Sequence, residues 1–244
     1  LSHVHFTDGY AYAASTFGET DSNGVWKIKT SPSVSYGTNG FFLLKNDNSA
    51  NDQSGEGNNY TATGTITNMK DNPSNVYATL NPLLEYAGNC TFSNGNNYVQ
   101  TGAGSRDTLF STIGVSSGKY YAEFKYVAGT APRMDVGING DPSEISRSVV
   151  PIGNGSTGYS FDGESAVKVN NGSSGGSYGS AISTGDIVML AVDFDNLKIY
   201  FGKNGTWFDS GDPTSGSTGT GAAYTITAPA STPSGFYHFG VSDH

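Results

Sequence analysis

The chain has 244 residues, long for one average domain but ordinary for a single large β-sandwich or for two smaller units. With 12 Lys and Arg against 21 Asp and Glu it carries a formal charge of −9, which argues against a nucleic acid or an anionic membrane surface as partner, since neutralising phosphates takes clustered cations. Glycine reaches 34 residues where average usage of about 7% would give roughly 17, and 15 Tyr with 13 Phe supply core bulk, a mix that favours strands and turns over helices.

Residues 1–45 hold short apolar clusters, Val4–Phe6, Val25-Trp26 and Gly40–Leu44, separated by turn signals at Ser22-Asn23-Gly24 and Thr38-Asn39-Gly40. Residues 51–66 read as a polar loop leading into a strand. In 71–83, Asn72-Pro73 and Asn81-Pro82 push the residue before each proline away from helix. A hairpin is expected around Asn94–Asn97. From Lys119 the pattern alternates, with Tyr120, Ala122, Phe124 and Tyr126 on a buried face and Lys119, Tyr121, Glu123 and Lys125 on the other. A single helical turn is expected around Asp141–Arg147. Further strands are expected at 158–161, 166–169, 187–194, 197–201 and 237–241, with low-complexity loops at 170–179 and 211–221. Ile187–Val192 is apolar on both faces and reads as a central strand covered on two sides. Asp195-Asn196 then reads as a two-residue turn, and Asn204-Gly205 as a primed hairpin turn, because both positions tolerate positive φ.

The order SSGKYYAEF, MDVGI, GYSFDG, TGDIVMLAVDFDNLKIYFGKNGTW and FYHFGV resembles a SPRY domain over about 108–244. That resemblance implies a two-sheet antiparallel sandwich of the concanavalin A-like type. It also implies a further closing strand after FYHFGV, expected either beyond this piece of chain or from a partner chain, with an edge otherwise left open. Upstream, Asp52–Asn58 is similar to the D-x-S-G-x-G-N signature that opens laminin-G-like jelly rolls. HFTDG, FGETDSNGVWKIK, DQSGEGNNYTATG and ATLNPL followed by the SPRY-like part resemble tail-fibre and other structural proteins of tailed phages, particularly marine ones. The resemblance implies a virion-surface location, homo-oligomers such as trimers, and contact with other virion proteins.

Several motifs are weighed against plainer readings. Gly153-Asn154-Gly155-Ser156-Thr157-Gly158 spells a dinucleotide fingerprint but leads into a strand rather than a helix, so no cofactor is expected. Glu19-Thr20-Asp21 lacks the close partner carboxylate of a glycosidase. All four His lie near the chain ends, and the lone Cys90 permits neither a disulfide nor a Cys-rich zinc site. Asp193 and Asp195 are weak Ca²⁺ candidates, though a turn needs the same oxygens. Trp207, Phe208, Tyr159, Phe161 and Tyr178 flank the glycine-rich loops and are the candidate ligand residues, Trp207 foremost. An aromatic face packs on sugar C–H groups, although the same residues could instead cap the core.

The expectation is an all-β chain with an N-terminal β-rich segment, 1–105, and an antiparallel SPRY-like sandwich, 106–244. Its absent initiator Met reads as a piece or processed form of something longer. Its expected role is non-enzymatic structure and recognition in a phage virion, binding a host surface glycan or protein. Two alternatives stand beside it: a decoration protein with no host ligand, and a polysaccharide-degrading enzyme of concanavalin A-like fold.

Overall fold

The structure, a computed structural model, describes residues 2–22, 24, 26–45, 49–64, 77–85, 90–102, 107–129, 131, 133–143 and 151–243. The chain divides into two compact units, Leu1–Tyr77 and Ala78–His244.

The first unit contains β1 (Val4–Phe6), β2 (Gly18–Thr20), β3 (Trp26–Ile28) and β4 (Phe41–Leu43), paired as two antiparallel ribbons, β1–β4 and β2–β3. Alternation on the first ribbon sends His5 and Phe42 to one face, where they stack at 4.0 Å between ring centroids. Phe17 and Tyr36 complete that aromatic cluster, at 5.0 and 6.1 Å from the His5 ring. The Asp52–Asn58 stretch is its staple. Asp52 accepts hydrogen bonds from the Phe42 and Ser54 amides at 2.8 and 2.9 Å, and from Ser54 Oγ and the Asn58 amide at 2.7 and 2.9 Å. Asn58 Nδ2 donates to the Thr38 and Gly40 carbonyls at 2.9 and 2.8 Å. Burial works against charge on Asp52, and the four donors override it, holding its carboxyl below the usual carboxylate range. The motif is thus a closed loop folded back on β4.

The second unit is an antiparallel β-sandwich. Its strands are β5 (Leu80–Glu85), β6 (Thr91–Ser93), β7 (Tyr98–Gln100), β8 (Thr108–Val115), β9 (Lys119–Lys125), β10 (Asp135–Asn139), β11 (Gly158–Asp162), β12 (Val167–Asn170), β13 (Ser173–Ser177), β14 (Ile187–Asp193), β15 (Lys198–Lys203), β16 (Thr206–Trp207), β17 (Tyr224–Thr225) and β18 (Tyr237–Ser242). One sheet runs β13-β12-β11-β10-β18-β8-β5; the other runs β16-β15-β14-β9, with β17 also on β15. Between them lie Val136, Ile138, Phe161, Val188, Leu190, Val192, Ile199, Phe201 and Tyr237, all fully or nearly fully buried. The alternation holds for Ala122, Phe124 and Tyr126, which pack on this core, but Tyr120, expected to be buried with them, is 42% exposed and its ring meets Phe194 and Phe239 only edge to face.

Four further expectations need correcting. The terminal segment is not beside a missing strand: β18 lies inside the larger sheet, with Ile138 opposite Phe239 on one side and Gly240 opposite Phe110 on the other. The expected boundary at 105/106 falls instead between 77 and 78, because β5 pairs on β8 with Leu80 opposite Ser111. Residues 170–179 are not merely a loop, since Ser173–Ser177 add β13 to the sheet edge. The turn after β14 takes four residues, Phe194–Leu197, because Asp193 pairs with Lys198 and Phe194 is drawn into the core. By contrast, Asn204 and Gly205 form the two-residue turn expected, with φ of 50° and 85° between Lys203 and Thr206. The expected helical turn at Asp141–Arg147 lies outside the described residues from Glu144 onward.

The fingerprint-like glycines form a strap before β11. Asn154 and Gly158 amides donate to the Pro151 and Gly155 carbonyls at 2.9 and 3.1 Å. Ile152 is held across the larger sheet by its amide bond to Ser242 Oγ, 3.0 Å, and by Asn139 Nδ2 on its carbonyl, 3.2 Å. A side chain at Gly153 would collide with Ser160 Oγ, so glycine here permits close crossing of backbone over sheet rather than a phosphate cradle.

Candidate functional site

The hairpin β14–β15–β16 is clamped at both ends by carboxylates. Asp186 Oδ1 accepts from Asn204 Nδ2 at 2.7 Å and Oδ2 from the Ser183 amide at 2.9 Å, while Asn204 Oδ1 accepts the Ile187 amide at 2.9 Å. The Asn204 bond, then the Ser183 bond, holds the Asp186 carboxyl below its usual range. At the far end, Asp193 accepts from the Asn196 amide at 3.0 Å and Asn196 Nδ2 at 2.9 Å, and pairs with Lys119 at 3.2 Å. Burial opposes its charge, and the Asn196 and Lys119 donors override burial and keep it ionised. Asp195 Oδ1 accepts the Gly118 amide at 2.8 Å. Asp193 therefore spends its oxygens on the turn and Asp195 spends one on the Gly118 amide ahead of β9, and among the described residues no group of three His, Cys, Asp or Glu gathers as a metal site.

Four of the five aromatic candidates are core residues rather than loop-borne ligand contacts. Phe161, Tyr178, Tyr159 and Phe208 are 0, 1, 5 and 8% exposed. Tyr159 and Phe161 occupy the positions of β11 that face the core between the sheets, and both belong to the core cluster. Tyr178 and Phe208 close over Phe161: the Phe161–Phe208 and Tyr178–Phe208 centroids are 5.0 and 5.8 Å apart. The Tyr178 hydroxyl donates to the Gly221 carbonyl at 2.7 Å, satisfying its polar end.

Trp207 stands apart from these four. It sits on β16 opposite Gly202, on the outward face of the smaller sheet. A Cβ on Gly202 would lie 3.1 Å from the indole Cε3, so glycine lets the indole lie close over β15. The register sets two rows across this face. Glu123, Met189, Gly202 and Trp207 form one; Tyr121, Ala191 and Tyr200 form the other. The Tyr121 ring meets Trp207 edge to face, 6.1 Å between centroids and 76° between planes. Its hydroxyl donates to Glu123 Oε1 at 2.5 Å. Partial burial, then that bond, pushes the Tyr121 hydroxyl up to about 12. Met189 and Ala191 are buried beneath the two rings, while Tyr121 remains 53% exposed.

The remaining outward aromatic, Tyr200, is only 1% exposed. Its cover includes the loop at 211–221, whose Ser215 Oγ lies 3.3 Å from the Tyr200 hydroxyl. Asp212 braces that loop by accepting from the Thr214 amide and Oγ1 at 2.8 and 2.6 Å. The result is a shelf of Tyr121, Trp207 and Glu123 beside a braced loop. Sequence reasoning found Trp207 but missed Tyr121 and Glu123, which the alternation assigned to a solvent face. The strand register alone brings them to Trp207.

One further pairing was not read from the sequence. Asp135 and Asp162 are opposite each other on β10 and β11. Asp162 Oδ1 caps the following turn by accepting the Glu164 and Ser165 amides at 2.9 and 3.0 Å. Asp135 is almost fully buried, and burial followed by the charges of Asp162, Glu164 and Asp243 raises its carboxyl well above the usual range.

No family model matches the chain, and no curated protein matches it either. Among solved structures it is similar to the SPRY domain of human HERC1, at 20% identity and a TM-score of 0.51, over 67% of this chain and 89% of that one. At that identity the likeness establishes the fold: a SPRY-like, concanavalin A-like sandwich.

Proposed function

We propose that the chain is a non-enzymatic recognition protein of a tailed-phage virion, carried on a tail fibre or another surface appendage and binding a host surface glycan or protein. The observation that carries this reading is the Tyr121–Trp207 pair with Glu123, an outward aromatic–carboxylate shelf on a sheet clamped by Asp186 and Asp193. Aromatic faces take sugar C–H groups or apolar side chains, and a carboxylate takes hydroxyls or amides. A rigid sheet holds these groups without an ordering cost at binding. The sequence resemblance to phage structural proteins supports the virion setting. Each contact is weak, so repeated copies in a homo-oligomer supply avidity.

The test is binding of the native chain and of Trp207→Ala and Tyr121→Ala to a glycan array and to host cell surfaces, with released products analysed in the same samples. Retained ligand, weakened by either substitution and with no product, supports recognition. Product release supports the hydrolase reading. A decoration role has one observation in its favour: Phe6, Phe41 and Tyr60 form a continuous ring cluster on the first unit, with centroids 5.3 and 5.2 Å apart and Phe6 and Tyr60 exposed. Binding to virion proteins without any host ligand would favour that role.

A further inference from the structure

The first unit is held together around an imidazole. His5 is half-buried, stacked on Phe42 and flanked by Phe17 and Tyr36, and its Nδ1 lies 2.9 Å from the Tyr36 hydroxyl. Charging such a ring means desolvating a cation between aromatic walls. Its ionisable neighbours do not help. From just ahead of β1, His3 faces the cluster, its ring 5.5 Å from Phe42. From beyond β4, Lys45 Nζ stands 5.3 Å over the same ring. Both are positive or become so on acidification. The Tyr36 hydroxyl, pushed up to about 12 by burial and then by Asp52, stays protonated and neutral. Tyr12 reaches the cluster through Phe17, with 6.2 Å between the ring centroids. Asp52 is the facing anion, and its carboxylate is already occupied by the Phe42, Ser54 and Asn58 donors.

We propose that this cluster is an acid-sensitive latch: protonation of His5 opens the first unit while the sandwich stays folded. Burial first, then His3 and Lys45, lowers the His5 imidazole from its ordinary 6.5 to about 4, and burial lowers His3 as well. A folded state that binds its proton later than the unfolded chain loses stability as pH falls from 6.5 and stops losing it below about 4. That shift alone caps the change in the opening equilibrium at roughly 300-fold; with the ring partly exposed we expect about 10- to 100-fold at pH 4.5.

The sandwich answers acid differently. Asp135 has a raised folded value, so its protonation favours the folded state as pH falls. His238, buried with Nδ1 3.0 Å from the Ser111 carbonyl, works the other way, but it sits on an interior strand of the larger sheet. The device therefore separates two units of one chain by their response to pH, as histidines do in other acid-triggered rearrangements.

The experiment is peptide-resolved hydrogen exchange of the full chain from pH 7 to 4.5, corrected for the intrinsic rate, with NMR titration of His5 in the same protein. The expected result is a rise of about tenfold or more in opening of β1 and β4 peptides, unchanged β14 and β15, and a His5 midpoint well below 6.5. His5→Phe, which keeps the aromatic cluster and cannot charge, should flatten the response of the first unit. A His5 midpoint near 6.5, a flat first unit in the native protein, or an unchanged acid response in folded His5→Phe would each overturn the proposal. Should His5→Phe fail to fold, the native titration and exchange decide the matter.

Discussion

The two units of this chain solve the same problem by different means. The sandwich buries a continuous row of aliphatic and aromatic side chains between two sheets and uses polar groups at its turns. Among its described residues the first unit shows two short ribbons, and the β1–β4 ribbon is stabilised by an aromatic cluster around an imidazole and by a carboxylate that accepts four hydrogen bonds. A core of many redundant contacts tolerates local loss; a smaller core is more exposed to whatever changes its individual groups.

That contrast can be tested by removing one group from each side. Phe161→Ala should have the largest effect, about 3–5 kcal/mol of sandwich stability from lost burial and an unfilled cavity. Chemical denaturation followed by peptide-resolved exchange should show the loss in β11 and its neighbours while the first unit keeps its native protection. Asp52→Ala should cost the first unit about 1–3 kcal/mol, because the part-buried amides of Phe42, Ser54 and Asn58 lose a charged acceptor. The same exchange measurement should find the sandwich unaffected; equal loss in both units would mean the two are not independent. Asp135→Asn should have a smaller effect and the opposite sign. A carboxyl raised in the folded state favours folding below its folded value and opposes it as pH rises through that value. The neutral amide should therefore raise the melting temperature at pH 8 by about 2–4 °C per kcal/mol recovered and leave it unchanged at low pH.

How much of this was legible beforehand depends on whether the signal is local. Strand alternation over Ala122–Tyr126 and the Asn204-Gly205 turn depend on neighbouring residues only, and both stand in the structure as read, whereas Tyr120, read as buried, is 42% exposed at the start of its strand. The interior position of Tyr237–Ser242 depends on pairing with β10 and β8, segments about a hundred residues earlier in the chain, and no local pattern encodes strand order. Ser173–Ser177 looked like a loop because Ser and Gly carry little strand preference, yet pairing with β12 overrides that. The aromatic candidates divide for the same reason. Tyr159 and Phe161 neighbour glycine-rich loops in sequence but point inward by strand phase. Tyr121 looked like one of several solvent-facing residues until the register placed it against Trp207. Aromatic residue type does not tell a shelf from a core; only cross-strand geometry does.

The central claim is that the outer face of the smaller sheet, and not its connecting loops, makes contact with the ligand. The most direct measurement is host-surface binding by the double variant Tyr121→Ala/Trp207→Ala, with its melting temperature taken alongside. The account predicts that binding falls by at least about tenfold, equivalent to roughly 1.4 kcal/mol, with melting shifted by only a few degrees, because the sandwich core is untouched. Undiminished binding by a variant that melts like the native chain would contradict it.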